Sequence, residues 1–383
     1  MDILRDIHLY LLARPLGDTI AAGGAHSLFL TEGGAVLSCG YGWEGQLGHG
    51  DKENQLAPKV VAALEGRRIV QVAAGDIHSL FLTEGGAVLS CGFGWDGRLG
   101  HGDKETQLVP KLVAALDGRC VVQVAAGSSC HSLFLAEGGT VLSCGDGWCG
   151  QLGHGDEENQ LVPKLVTALE GRRVVQVAAG SAHSLFLTEG GAVLSCGFGL
   201  VGQLGHGDKN HQLVPKLVVA LEGRRVVQVA ACMGNSLFLA EGGAVLSCGD
   251  GECGQLGHGD KENQLAPKLV ATLEGRHVVQ VAAGGSHSLF LAEGGTVLSC
   301  GDGECGQLGH GDKMDQLVPM LVAALEGRRV VEIAAGYSQS LFLAEGGAVL
   351  SCGDGWRKGS LGHGDANTQS VPRLINGLPR VAT

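Results

Sequence analysis

The sequence predicts an all-β fold, a seven-bladed β-propeller built from four-stranded antiparallel blades. Three observations predict it. The string SLFL recurs seven times, starting at Ser27, Ser79, Ser132, Ser184, Ser236, Ser288 and Ser340, at spacings of 52, 53, 52, 52, 52 and 52 residues. The string LGHGD also recurs seven times, with one Pro in each unit at a fixed offset, as at Pro58 and Pro110. Gly supplies 66 of 383 residues, about 17% against a usual ~7%, and the apolar runs between the glycines are too short for helices. Internal repetition at a period near 50 residues, several short strands to a period, is the signature of propeller blades.

The unit that begins at Ile69 shows the elements in order. Ile69 to Ala74 is β-branched and then small, as an inner strand requires. Gly75 to Ile77 turns the chain. His78 to Thr83 is a second strand, apolar on both faces. Glu84, Gly85 and Gly86 form a tight hairpin, because Gly tolerates positive φ. Ala87 to Cys91 is the third strand, and a Gly-rich loop follows through LGHGD. Pro110 to Val113 is the fourth, on the outer edge where Pro is tolerated. A blade that is apolar on both faces must be covered by neighbours, so the units stack around an axis. Ala73 and Ala74 suit the crowded inner strand; Leu and Phe suit the wider part of the wedge.

The propeller spans residues 18–383. Asp18–His26 reads DTIAAGGAH and matches the nine residues Val70–His78, VQVAAGDIH. That match predicts closure of the ring by the N-terminal strand joining the C-terminal blade, which hides an edge. Residues 1–17 form an extension outside the pattern. Ile3, Ile7, Tyr10 and Leu11 fall at helical spacing, so a short packed helix is expected there. Asp2 and Asp6, with no small-residue cleavage site, argue against a signal peptide.

Composition excludes several function classes. The net charge is −12 with no Lys/Arg block, so nucleic acid and anionic membrane are not expected partners. No apolar stretch reaches the roughly 18 residues of a membrane span. Thirteen Cys is an odd number and suits free thiols in a reducing compartment, cytoplasmic or nuclear. Aromatics are 4% of the chain, so the core must be aliphatic.

The unit SLFLTEGGAVLSCGxGxxGQLGHGD…P…LEGRRVVQVAAG resembles the regulator of chromosome condensation repeat over residues 18–383. The resemblance implies a seven-bladed propeller. It also implies a choice among functions, because the family includes an exchange factor for the small GTPase Ran, propeller domains of HECT-type ubiquitin ligases and the plant UV-B photoreceptor. Departures narrow that choice. Where members commonly carry Trp before the Gly that ends the third strand, all seven units here carry Cys, from Cys39 to Cys352. The positions matching the photoreceptor's light-sensing Trp motifs hold Gly24, Asp76, Ser128, Ser181, Met233, Gly285 and Tyr337, so UV sensing should be lost. The near-uniform spacing leaves no room for the wedge that the exchange factor inserts in one blade.

No catalytic residues, metal site or cofactor site are expected. His-x-Asp in LGHGD is present in all seven units, and a catalytic pair is rarely repeated sevenfold; His49 and its equivalents are read as satisfying buried backbone groups. A second series, His26, His78, His131, His183 and His287, gives way to Asn235 and Gln339, which suits hydrogen bonding and not metal ligation. The C-x4-C pairs, such as Cys144/Cys149, lack zinc-site spacing. The strand Cys are read as small buried apolar residues.

Strand alternation sorts the loops onto two faces. The turns after AAG and the loops after SCG share one; the EGG hairpins and LEGRR loops share the other. On the second face, Glu32, Glu84 and their equivalents should meet Arg67, Arg68 and theirs as solvated ion pairs. The first face carries the variation. Blade 1 reads Tyr41/Trp43, blade 2 Phe93/Trp95, blade 3 Asp146/Trp148 and blade 7 Asp354/Trp356 beside Arg357 and Lys358. Glu252 and Glu304 mark the opposite arc. Blade 7 abuts blade 1, so the four Trp fall on consecutive blades. An aromatic arc with a basic end is the composition of a protein-binding hot spot; the alternative is that each Trp packs across a blade junction.

The expected function is therefore a non-enzymatic, monomeric scaffold that binds a protein through its first face. Trp43, Trp95, Trp148, Trp356, Tyr41, Phe93, Arg357 and Lys358 are the candidate contacts. The alternatives are an exchange factor or regulator of a small GTPase, and a regulatory propeller of ubiquitin-ligase or photoreceptor lineage. A small GTPase or a ubiquitin-pathway protein is the partner each would imply.

Overall fold

The computed structural model describes residues 18–356 and 358–383. The helix expected within residues 1–17 and the candidate contact Arg357 lie outside the described residues. The described chain forms seven four-stranded antiparallel sheets, each built from four consecutive strands. They are arranged as the blades of a ring.

Blade 2 shows how the sequence makes each sheet. Its inner strand is Ile69–Ala74 and its second strand His78–Thr83, both as expected. The third runs Val88–Gly92 and the outer strand Gln107–Leu112, starting three residues before Pro110. The ladder between them slips between Ser90 and Gly92, and Pro110 falls in that slip. The missing N–H thus costs no ladder bond. Gly86 closes the hairpin with φ +79°. After each of the first six outer strands the chain makes one 3-10 turn, as at Ala62–Leu64, whose Leu64 is buried and anchors the crossing to the next blade.

The core lies between blades. Leu28, Leu30, Val36 and Val61 of blade 1 pack against Ile69, Val72, Phe81 and Cys91 of blade 2. The same aliphatic layer recurs at every junction, ending with Leu341, Leu343 and Val349 of blade 7 against Ile20, Phe29 and Leu37 of blade 1. The seven Phe of SLFL are fully buried. The strand Cys are buried free thiols, as expected.

Side-chain forks tie the inner strands together around the ring. Gln71 Nε2 donates to Val124 O (3.1 Å) and Gln71 Oε1 accepts Val124 N–H (2.9 Å). Gln123, Gln176, Gln228 and Gln280 repeat this with the next blade. At the closing junction the fork is Glu332. Its Oε1 accepts Thr19 N–H (2.9 Å) and Ile20 N–H (3.1 Å), and its Oε2 accepts the Thr19 hydroxyl (2.5 Å). Burial, reinforced by the Asp18 carboxylate, pushes the Glu332 carboxyl up to about 7.

Closure runs opposite to the expected direction. Ile20–Ala22 pairs with His26–Leu30 of its own blade, and the last blade already has four strands of its own. The tail crosses instead. Val381 bridges Thr31, Glu32 N–H donates to Arg380 O, and Ala382 N–H donates to Leu30 O. Arg380 and Val381 stand where Arg68 and Ile69 stand in blade 2. They begin the inner strand of blade 1, which Thr19 and Ile20 continue. Head and tail do share one sheet, but it is the first blade's.

Candidate protein-binding face

The loops of the first face are held at their necks and presented at their tips. Gly42 N–H donates to Asn54 Oδ1 (3.0 Å), and Glu44 N–H donates to Gln46 Oε1 (3.1 Å). Gly147 N–H and Asn159 repeat the first bond, and Asp146 Oδ1 takes Trp148 N–H (3.2 Å). Each loop also reaches sideways, as where Gly50 N–H donates to Leu108 O of the next blade (2.9 Å).

The two His series are structural. Ser38 Oγ donates to Leu47 O (2.7 Å), so its proton is spent and His49 Nε2, 3.0 Å away, must donate to it. Burial holds the His49 pKa below the usual imidazole value. Asp51 Oδ1 accepts Glu53 N–H in the same loop. In the second series, Ser79 Oγ donates to Gln46 O (2.8 Å) and accepts from His26 Nε2 across the blade junction (2.9 Å). The ring lies flat on its own AAG turn. A Cβ on Gly23 would come within 2.7 Å of His26 Nδ1, which is why Gly is needed there. Gln339 keeps the role by donating to Ser27 Oγ and His26 O. Asn235 does not: its amide is buried with neither end bonded, too short to reach the next blade.

The four Trp side chains stand largely in solvent. Trp43, Trp95, Trp148 and Trp356 are 59%, 62%, 77% and 85% exposed. Tyr41 and Phe93 of the same loops are half-buried. Lys358 Nζ lies 5.2 Å from the Tyr41 ring centre and 5.8 Å from that of Trp43, joining blades 7 and 1. Lys104 Nζ lies 5.8 Å from Trp95. Each such contact is an exposed cation–π attraction of about 0.5–1 kcal/mol.

Two features of this face were missed in the sequence. Blade 2 reads GRLGHGD where five blades read GQLGHGD, and Arg98 is buried there. Its guanidinium pairs with Asp96 (2.6 Å), donates to Ser129 O of blade 3 and sits 5.2 Å from the Phe93 ring centre. The single spacing of 53 marks the other. The extra residue in blade 3 lets Ser128 Oγ reach Met233 N–H (3.1 Å) and the Cys232 thiol (3.5 Å) in blade 5. These groups and Tyr337 rim a narrow axial opening lined by Ala of all seven inner strands. On the opposite face the expected ion pairs form, among them Arg68–Glu84 (3.0 Å) and Arg173–Glu189 (2.7 Å). They are exposed, each worth about 0–1 kcal/mol.

The model of the RCC1-like domain matches residues 107–383, and models of the regulator of chromosome condensation repeat match 33–82 and 18–46 with 69–97. The chain belongs to the regulator of chromosome condensation repeat family. Among relatives, the ultraviolet-B receptor UVR8 of Arabidopsis thaliana is 37% identical over 94% of this chain and 81% of its own length. The human E3 ubiquitin-protein ligase HERC2 is 39% identical over 83% of this chain, which spans only 7% of that ligase. Among solved structures, human WBSCR16 has a TM-score of 0.81 at 28% identity, covering 89% of this chain and 94% of that one. Prp20p of Saccharomyces cerevisiae has a TM-score of 0.81 at 25% identity, covering 98% and 90%; its structure is described with its binding to Gsp1p and histones. The propeller is thus shared by proteins with different tasks, and the face loops are where this chain differs from unit to unit.

Proposed function

We propose that this propeller is a non-enzymatic scaffold that captures a protein through its first face. One observation carries the reading: all four Trp of the chain stand largely exposed on four consecutive blades. Indoles this exposed add little to the core, and Trp is among the residues enriched at binding hot spots. The rigid loop necks supply preorganisation, which lowers the entropy cost of binding. The relatives' association with protein partners, Gsp1p and histones in the case of Prp20p, supports the same direction.

The test is the Trp43→Ala/Trp95→Ala double variant, immobilised beside the wild type for partner capture. Capture should fall to background while the melting temperature stays within a degree or two, about 0.5 kcal/mol or less, as for surface changes. A collapse in melting temperature would return the Trp to a packing role. Accelerated nucleotide release from a small GTPase would replace the scaffold reading with exchange activity.

A further inference from the structure

The two faces differ sharply in charge. The seven loops between third and outer strands, residues 41–54 and their equivalents, hold 21 Asp and Glu against 8 Lys and Arg. The hairpins and interblade loops of the opposite face hold 13 against 11. The loops of the face that carries the aromatic arc thus hold a net −13 against −2 for the opposite face, offset in part by the outer-strand Lys and Arg that pair with loop Asp residues, as Lys59 does with Asp51 and Lys164 with Asp156.

Within that face one Trp stands apart. In blade 2 the cation over Trp95 is Lys104, nine residues on. In blade 3 the residue nine after Trp148 is Glu157, and the whole loop 146–159 contains Asp146, Asp156, Glu157 and Glu158 with no Lys or Arg. Asp156 is taken by Lys164 (3.5 Å), and Asp146 by Gln151 and the Trp148 backbone. Glu157 and Glu158 are exposed. A Cβ on Gly147 would strike the Glu158 backbone carbonyl, as at Gly42 with Glu53 and Gly94 with Glu105, so the Glu158 backbone runs beside the residue preceding Trp148. Blade 3 thus offers a 77% exposed indole and, at the sequence position of its neighbour's cation, Glu157.

We propose that the first face docks a basic polypeptide segment, and that Trp148 with Glu157 and Glu158 receives one of its Lys or Arg side chains. This rests on the reading of the arc as the binding face and names the chemistry of what it binds. The indole supplies the π face and the carboxylates supply the counter-charge, as Trp95 and Trp43 already do for the chain's own lysines.

The test measures fluorescence anisotropy of a short labelled peptide alternating Lys and Ala, and of its Glu–Ala counterpart, against the full chain. The Lys peptide should bind, weaken as salt rises, and outcompete the Glu peptide. Trp148→Ala and Glu157→Lys, the latter rebuilding the internal cation of blade 2, should each weaken it about tenfold, the size of a desolvated cation–π contact. Equal binding of the two peptides, or a Lys-peptide affinity unmoved by Glu157→Lys, overturns the proposal. If the Trp43→Ala/Trp95→Ala variant loses its protein partner while the peptides are not distinguished, only this inference falls. If that variant keeps its partner, the binding-face reading falls instead.

Discussion

Cys232 and Asn235 are paired across the turn that ends the inner hairpin of blade 5, at the place where every other blade has Gly facing His or Gln. The two departures are one. A Cβ at this Gly position collides with the imidazole, so a side chain at 232 requires a shorter residue at 235. The exchange costs the cross-blade bond, leaves the Asn235 amide unpartnered and places Met233 at φ +28°. Asn235→His alone should therefore destabilise the fold. Cys232→Gly/Asn235→His should rebuild the bond to Ser288 and gain about 1 kcal/mol over the wild type. A double-mutant cycle by chemical denaturation reads the coupling directly, and additive effects would contradict it.

The buried imidazoles make the ring sensitive to acid. Burial lowers the pKa of His26, His183 and His287 from 6.5 to about 4 and that of His131 to about 3; His78 is lowered well below 6.5 by burial and by Arg98, His26 and His131. Below pH 6.5 the unfolded chain takes up protons that the folded chain refuses. Stability present above pH 6.5 should be lost progressively as pH falls toward 4. Unfolding at pH 5 should take up protons, and His183→Asn should lessen the uptake. A denaturation midpoint unchanged between pH 7 and 5 would rule this out.

The closing junction should respond in the opposite sense. The Glu332 carboxyl is raised from 4.5 to about 7, so its contribution is fully present below 4.5 and is lost as pH rises through 7. Glu332→Gln keeps all three contacts: Oε1 accepts the Thr19 and Ile20 N–H groups, and Nε2 donates to the Thr19 hydroxyl. The variant should melt above the wild type at pH 8 and level with it at pH 5. A lower melting temperature at pH 8 would show that the carboxylate charge stabilises the seam.

Much of this architecture is legible in the residues, and the exceptions have physical causes. The strands Ile69–Ala74 and His78–Thr83 could be read from composition and turn residues because each is bounded by Gly. The outer strand could not: its start at Gln107 is set by pairing with Gly92, and the slip that absorbs Pro110 exists only once the sheet forms. The direction of closure was hidden because Asp18–His26 matches the inner strand of any blade equally well. The deciding signal was the match of Arg380–Val381 to Arg68–Ile69, short and shared with a tail that lacks the usual 3-10 turn. The Trp arc was visible as variation between repeats, but indole serves a junction or a surface equally, and the exposure of the four rings is set only by how the loops fold. Arg98 was detectable as a single Arg for Gln exchange, yet its burial depends on Asp96 and Ser129 meeting it from two blades.

The chain has four Trp and all of them lie on the arc, so its tryptophan fluorescence, excited selectively over Tyr, reports on that face. The most direct measurement is acrylamide quenching of this emission, in the free protein and in complex with the captured partner. The free protein should show red-shifted, uniformly quenchable emission, and binding should bring a blue shift with loss of quenching. Blue-shifted, protected emission from the free protein, or no change on saturation with partner, would contradict the reading of the arc as the binding face.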